Sequence, residues 1–188
     1  IGYGACIDND YLVGKIDENY YNFIEDSKNV KETVPQGSRI LEVIKESTTH
    51  NVKILPLVVV NNENYTTTSA IVKAIQYATT NSDVICYELA NNENTIIDLM
   101  LKKAFTENKP VCCATISNKD LNGDYPANNS TTIAISSIDK SENFADYSGK
   151  GSYVDFSAYS TDVEEIFNKT SKRLKRFGKC FHFIRLHR

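Results

Sequence analysis

The chain has 188 residues, a formal net charge of −3 and a hydrophobic fraction of 41%. That length suits one domain with a sizeable core, and the composition is ordinary for a soluble globular protein. No apolar run is long enough to span a membrane, and Ile1-Gly2-Tyr3-Gly4 lacks the basic-then-apolar order of a signal peptide.

The five Cys are odd in number and show no CxxC or CxxH spacing; Cys6, Cys86, Cys112 and Cys113 all sit in apolar runs. They read as small buried hydrophobes, free thiols that suit a reducing compartment. His50 is the only His before the tail, so neither a zinc site nor any other metal site is predicted. The charge is unevenly spread. Residues 169–188 carry eight Lys or Arg and no acid, so all 24 acids lie in 1–168 against 13 bases. The chain therefore divides into an acidic body, 1–168, and a basic tail, 169–188. A basic tail can be an arm for nucleic acid or a membrane surface.

In chain order, residues 3–8 read as a short buried strand ending in the carboxylate of Asp8, the end at which open α/β sheets place their chemistry. Gly2 and Gly4 precede the apolar run and lack a third Gly at the right spacing, so they form no dinucleotide loop. Residues 10–34 read as a polar surface loop. A helix follows Pro35, with Ser38 as its cap and Ile40, Leu41, Val43 and Ile44 at helical spacing up to Ser47. Residues 52–60 form a second strand, in which Pro56 predicts an edge position or a bulge. Thr68-Ser69 caps a helix to Thr79 with Ile71, Val72, Ile75 and Ala78 as its buried stripe. A strand over 83–87 comes next, then a helix from Thr95 to Asn108 that puts Ile96, Leu99, Met100 and Phe105 mostly on one side. The apolar runs 111–116 and 132–138 and the short run 153–158 complete the strands. This alternation predicts a three-layer α/β sandwich with a mainly parallel central sheet.

The best-defined stretch is 111–138, where Val111-Cys112-Cys113-Ala114-Thr115-Ile116 ends in Ser117-Asn118 and Tyr125-Pro126-Ala127 precedes Ile133-Ala134-Ile135-Ser136-Ser137-Ile138-Asp139. This order resembles the subtilisin-like serine peptidases, in which a strand of small residues ends in Gly-Asn, Tyr-Pro-Ala follows, and a second strand reads Val-Ile-Ala-Val-Gly-Ala-Val-Asp. Ile7-Asp8 resembles that family's Val-Ile-Asp. The resemblance covers about residues 3–163 and implies a subtilisin-like fold. It implies roles for three positions: Asp8 as the carboxylate that orients the catalytic His, Gln36 at the position of that His, and Asn118 as donor to the oxyanion. It also implies that Glu88-Leu89-Ala90 stands where Ser-Leu-Gly lines the substrate cleft. The catalytic motif Gly-Thr-Ser-x-Ala has no counterpart. Thr170-Ser171 is followed by Lys172-Arg173, and long charged residues cannot enter an apolar core without a large desolvation cost. His50 lies fourteen residues past Gln36, about 20 Å along a helical path, and does not reach the base position.

Peptide hydrolysis needs a nucleophilic Ser, a His base, an orienting Asp and donors at the oxyanion. The resemblance supplies the last two alone. The expectation is an inactive subtilisin-like domain that binds a peptide or protein segment and uses no cofactor. Two alternatives stay open: an active serine endopeptidase whose remaining portion lies beyond this chain, and an unrelated α/β ligand-binding domain, which would lack a phosphate loop. The tail likewise has two readings, a segment out of frame or truncated relative to an ancestral gene, or a native cationic arm. Only the second makes nucleic acid a partner.

Overall fold

The computed structural model describes residues 1–8, 10–32, 36–48, 51–116, 124–139 and 141–159. Among these described residues six strands and three α-helices are arranged in three layers. Strands β3 (Ile85–Tyr87), β4 (Val111–Ala114), β5 (Ile133–Ile138) and β6 (Phe156–Tyr159) pair in that order, all parallel. Strands β1 (Tyr21–Asn22) and β2 (Leu57–Val58) form a separate parallel pair.

The first residues of the chain join the two sheets. Gly2 donates its N–H to the Leu57 carbonyl (3.1 Å) and accepts from the Val59 N–H (2.9 Å). On the other side the Glu88 N–H donates to the Ile1 carbonyl (3.1 Å). Beyond Tyr3 the chain leaves the sheet, and the Ala5 N–H turns to the Val30 carbonyl instead. The predicted strand over 3–8 is therefore not formed. Its paired residue is Gly2, and Asp8 lies in an exposed turn. The apolar run gave the wrong end because Ala5, buried, and Ile7, partly buried, pack against helix α1 and not in a ladder. Pro56 is also placed differently from expectation. It precedes the two residues of β2, which is flanked on both sides, and its carbonyl accepts from the Tyr21 N–H, so the missing N–H is not needed.

Side chains alternate between the two faces of the sheet, as strand geometry requires. Val111, Cys113, Ala134, Ile85 and Tyr87 face one way, towards helices α2 (Thr68–Asn81) and α3 (Thr95–Thr106). Cys112, Ile135 and Ala158 face the other, towards Ile40, Leu41, Val43 and Ile44 of helix α1 (Gln36–Ser47). Each helix starts at a side-chain acceptor for its unpaired N–H groups. Thr67 caps α2 through the Ala70 N–H, and Asn94 caps α3 through the N–H groups of Ile96 and Ile97. For α1 the acceptor is the Glu32 carboxylate, which takes the N–H groups of Gly37 (2.8 Å) and Ser38 (3.1 Å). Ser38, expected to cap α1, accepts from the Cys6 N–H (2.7 Å) and ties the helix to the first segment.

The buried stripe of α3 differs from the expected one. Ile97, Leu101 and Ala104 are buried, whereas Ile96, Leu99 and Phe105 are exposed. Apolar residues occur on both sides of this helix, so hydrophobicity alone does not set the rotation. The pair Leu101 and Leu99 gives the test. Leu101→Ala removes a fully buried side chain and costs about 2–5 kcal/mol, whereas Leu99→Ala, 57% exposed, stays within about 0.5 kcal/mol of wild type. Urea denaturation of the two variants distinguishes them.

Candidate functional site

Parallel α/β sheets carry their chemistry beyond the C-terminal ends of the strands. Here that edge gathers the segment after β3, the residues after β4, the first residues of the chain and the start of α1. The helix start is held tightly. A Cβ added at Gly37 would lie 1.9 Å from the Gly4 carbonyl oxygen and 3.1 Å from that of Tyr3, so two backbones touch there and only Gly fits. Gln36, at the expected base position, is therefore the first residue of a helix seated on Tyr3 and Gly4. Asp8, the expected orienting carboxylate, is exposed in the turn beyond this contact. Asn118, His50 and the Thr170-Ser171 pair lie outside the described residues, as do residues 160–188. None of the three His of the chain is among the described residues.

Glu88 directly follows Tyr87, the last residue of β3. Its carboxyl is buried and accepts from the Tyr3 N–H, while Oε2 has no hydrogen-bond partner. A buried acceptor left unpaired costs about 1–3 kcal/mol, and more when charged. Burial pushes the Glu88 carboxyl up to about 7; the nearby Ile1 amino group and the Tyr3 N–H oppose that shift, and Glu32 adds to it. Leu89 and Ala90 are half-buried. The Asn91 N–H donates to the Tyr125 carbonyl (2.9 Å), so the stretch from Glu88 to Asn91 runs beside the Tyr125-Pro126-Ala127 turn. That turn is itself fixed: Tyr125 Oη donates to Asp98 Oδ1 (3.0 Å) and Thr132 Oγ1 to the Pro126 carbonyl (2.8 Å).

The two ends of the segment carrying Asn118 are pinned by buried polar groups that sequence reasoning missed. Asp124 Oδ1 accepts from the Ile116 N–H (2.8 Å), which closes the loop between those residues. The other Asp124 oxygen accepts from Tyr153 Oη. Below them Thr115 Oγ1 donates to the Gly149 carbonyl (3.2 Å), and Ser148 Oγ accepts from the Ser137 N–H (2.8 Å). Thr115, Asp124 and Ser148 are all buried. The available signal was a carboxylate immediately before Tyr-Pro-Ala, opposite the polar Ser148-Gly149 link.

The buried thiols are not activated nucleophiles. Burial pushes Cys112 up to about 11 and Cys86 and Cys113 well above the usual thiol range, so none is a thiolate at neutral pH. Among the described residues no helix is long and apolar enough to cross a membrane.

Glu88 makes stability depend on pH. An unperturbed Glu titrates at 4.5, so between 4.5 and about 7 the folded state holds the extra proton. Stability from this group is thus complete below 4.5 and lost as pH rises through about 7. Glu88→Gln removes that loss. Its stability relative to wild type rises by on the order of 2–3 kcal/mol between acidic and mildly alkaline solution, read by urea denaturation; an unchanged difference rules out a buried acid here.

The Subtilase family model matches residues 42–178, a stretch that begins after Gln36 and runs into the basic tail. The sequence matches no curated protein. Among solved structures the fold is similar to that of a cold-adapted subtilisin-like serine proteinase, with a TM-score of 0.82, 18% identity, and 98% of this chain and 72% of that one covered. It is similar also to a lanthipeptide protease, with a TM-score of 0.74, 18% identity and 91% of this chain covered; there the chain spans 57% of the other's length. At such identity the structural likeness speaks for the fold, and the family match covers most of the sequence. The chain belongs to the subtilase family.

Proposed function

We propose that this chain is a subtilase domain that has lost peptide hydrolysis and holds an extended peptide or protein segment at the C-terminal edge of its sheet. The observation that carries the reading is Gln36 as the first residue of α1, the place at which the family resemblance puts the general base. A carboxamide does not take a proton from a serine hydroxyl at neutral pH. In subtilisin, removing the Ser or the His alone costs about two-millionfold in kcat. A site without its base is thus close to inert, whatever its oxyanion donor.

Binding needs less than catalysis. An extended segment can dock on strand-like backbone through main-chain hydrogen bonds, with pockets reading alternate side chains. The stretch from Glu88 to Asn91 continues β3 beside a fixed turn. Ala90 stands where the family pattern has Gly, and its Cβ narrows the approach of a second backbone.

A fluorophosphonate probe, which labels an activated Ser, is expected to leave the protein unmodified, and extended peptides from a randomised library are expected to raise its melting temperature. Labelling that is blocked by peptide overturns the proposal in favour of a serine endopeptidase. Absence of both labelling and peptide stabilisation overturns the binding role.

A further inference from the structure

Glu32, Glu88 and Asp8 are the three carboxylates to compare for this site, and they are not equivalent. Glu32 is occupied: its oxygens take the N–H groups of Gly37 and Ser38. Asp8 is exposed to water, where a carboxylate holds a partner weakly. Glu88 is buried, with Oε2 unpartnered. Its position is unusual. A Cβ added at Gly2 would fall 2.3 Å from Glu88 Oε2, so the carboxylate fills the space a side chain at Gly2 would occupy. Gly2 is the residue at which the first segment is paired in the sheet. Glu88 and Gly37 line one cavity of about 500 Å³ between α1 and the sheet, together with Gly2, Tyr3, Leu41 and Cys86.

We propose that Glu88, reaching across from the end of β3, is the positioning carboxylate of this site in place of Asp8. A strand residue that lacks a side chain is complemented by a longer acid from the neighbouring strand. Glu88 then shares a cavity with Gly37 of the first turn of α1, one oxygen held by the Tyr3 N–H and Oε2 without a partner. Among the described residues, the charged groups that act on it are Glu32 and the Ile1 amino group. Asp17, Lys53 and Asp83 line the same cavity.

The inference rests on reading position 36 as the vacated base, and the test separates the two claims without using activity. Gln36→His is made in the full chain, and the imidazole is titrated by NMR. Its pKa is expected about one unit above the peptide value near 6.5, as beside a buried carboxylate. Adding Glu88→Gln is expected to abolish the rise, and adding Asp8→Asn to leave it. A rise that survives Glu88→Gln and disappears with Asp8→Asn overturns the Glu88 assignment alone. An imidazole indifferent to both acids overturns the base position itself. Should Gln36→His not fold, Gln36→Lys serves through the Glu88 carboxyl carbon: its titration midpoint must fall relative to wild type, and an unmoved midpoint overturns the proposal.

Discussion

The contact between the backbones of Gly4 and Gly37 is the constraint on which the rest of this site depends. The helix can approach the first segment this closely only because position 37 carries no Cβ. Once the two are in contact, the first turn of α1 is fixed against the segment that joins the two parts of the sheet. The Glu32 carboxylate and the Ser38 hydroxyl then complete the joint, one satisfying the helix N–H groups and the other the Cys6 N–H. Sheet continuity, helix start and the edge where strands end are thus set by one small region.

The two acids behind that joint show how burial and satisfaction separate. Burial raises both Glu32 and Glu88, but Glu32 is repaid by helix N–H groups while Glu88 has a single backbone donor. The negative end of Glu32 also suits the positive end of a helix. Glu88 accepts from no helix N–H group, and burial moves its titration close to neutrality. On the opposite side of the site Asp124 is satisfied on both oxygens, by the Ile116 N–H and the Tyr153 hydroxyl, and works as a clamp.

Much of the fold was legible in the sequence for physical reasons. Strands β3 to β5 are buried on both faces, so they read as continuous apolar runs, and the helices between them require parallel pairing. The stretch 111–138 also carried the family resemblance. The rotation of α3 was not legible, because Ile96, Leu99 and Phe105 compete with Ile97 and Leu101 for the buried side. Within the site, the helix that begins at Gln36 was readable from its apolar spacing. The strand expected over 3–8 was misread because an apolar run ending in Asp resembles a strand's end, whereas Ala5 and Ile7 pack against α1 without entering a ladder. Nor could Glu88 be recognised as a partner of Gly2. The two are 86 positions apart, and only strand adjacency brings them together.

The adjacent thiols of β4 have a consequence of another kind. Cys112 and Cys113 point to opposite sides of one strand, the first towards the layer of α1 and the second towards the layer of α2 and α3. Neighbours on a pleated strand diverge, so each sulfur is sealed by a different helical layer. The protein thereby carries two native chemical reporters at its centre. The order in which a thiol reagent reaches them tells which helical layer lifts from the sheet first, without any label having been introduced.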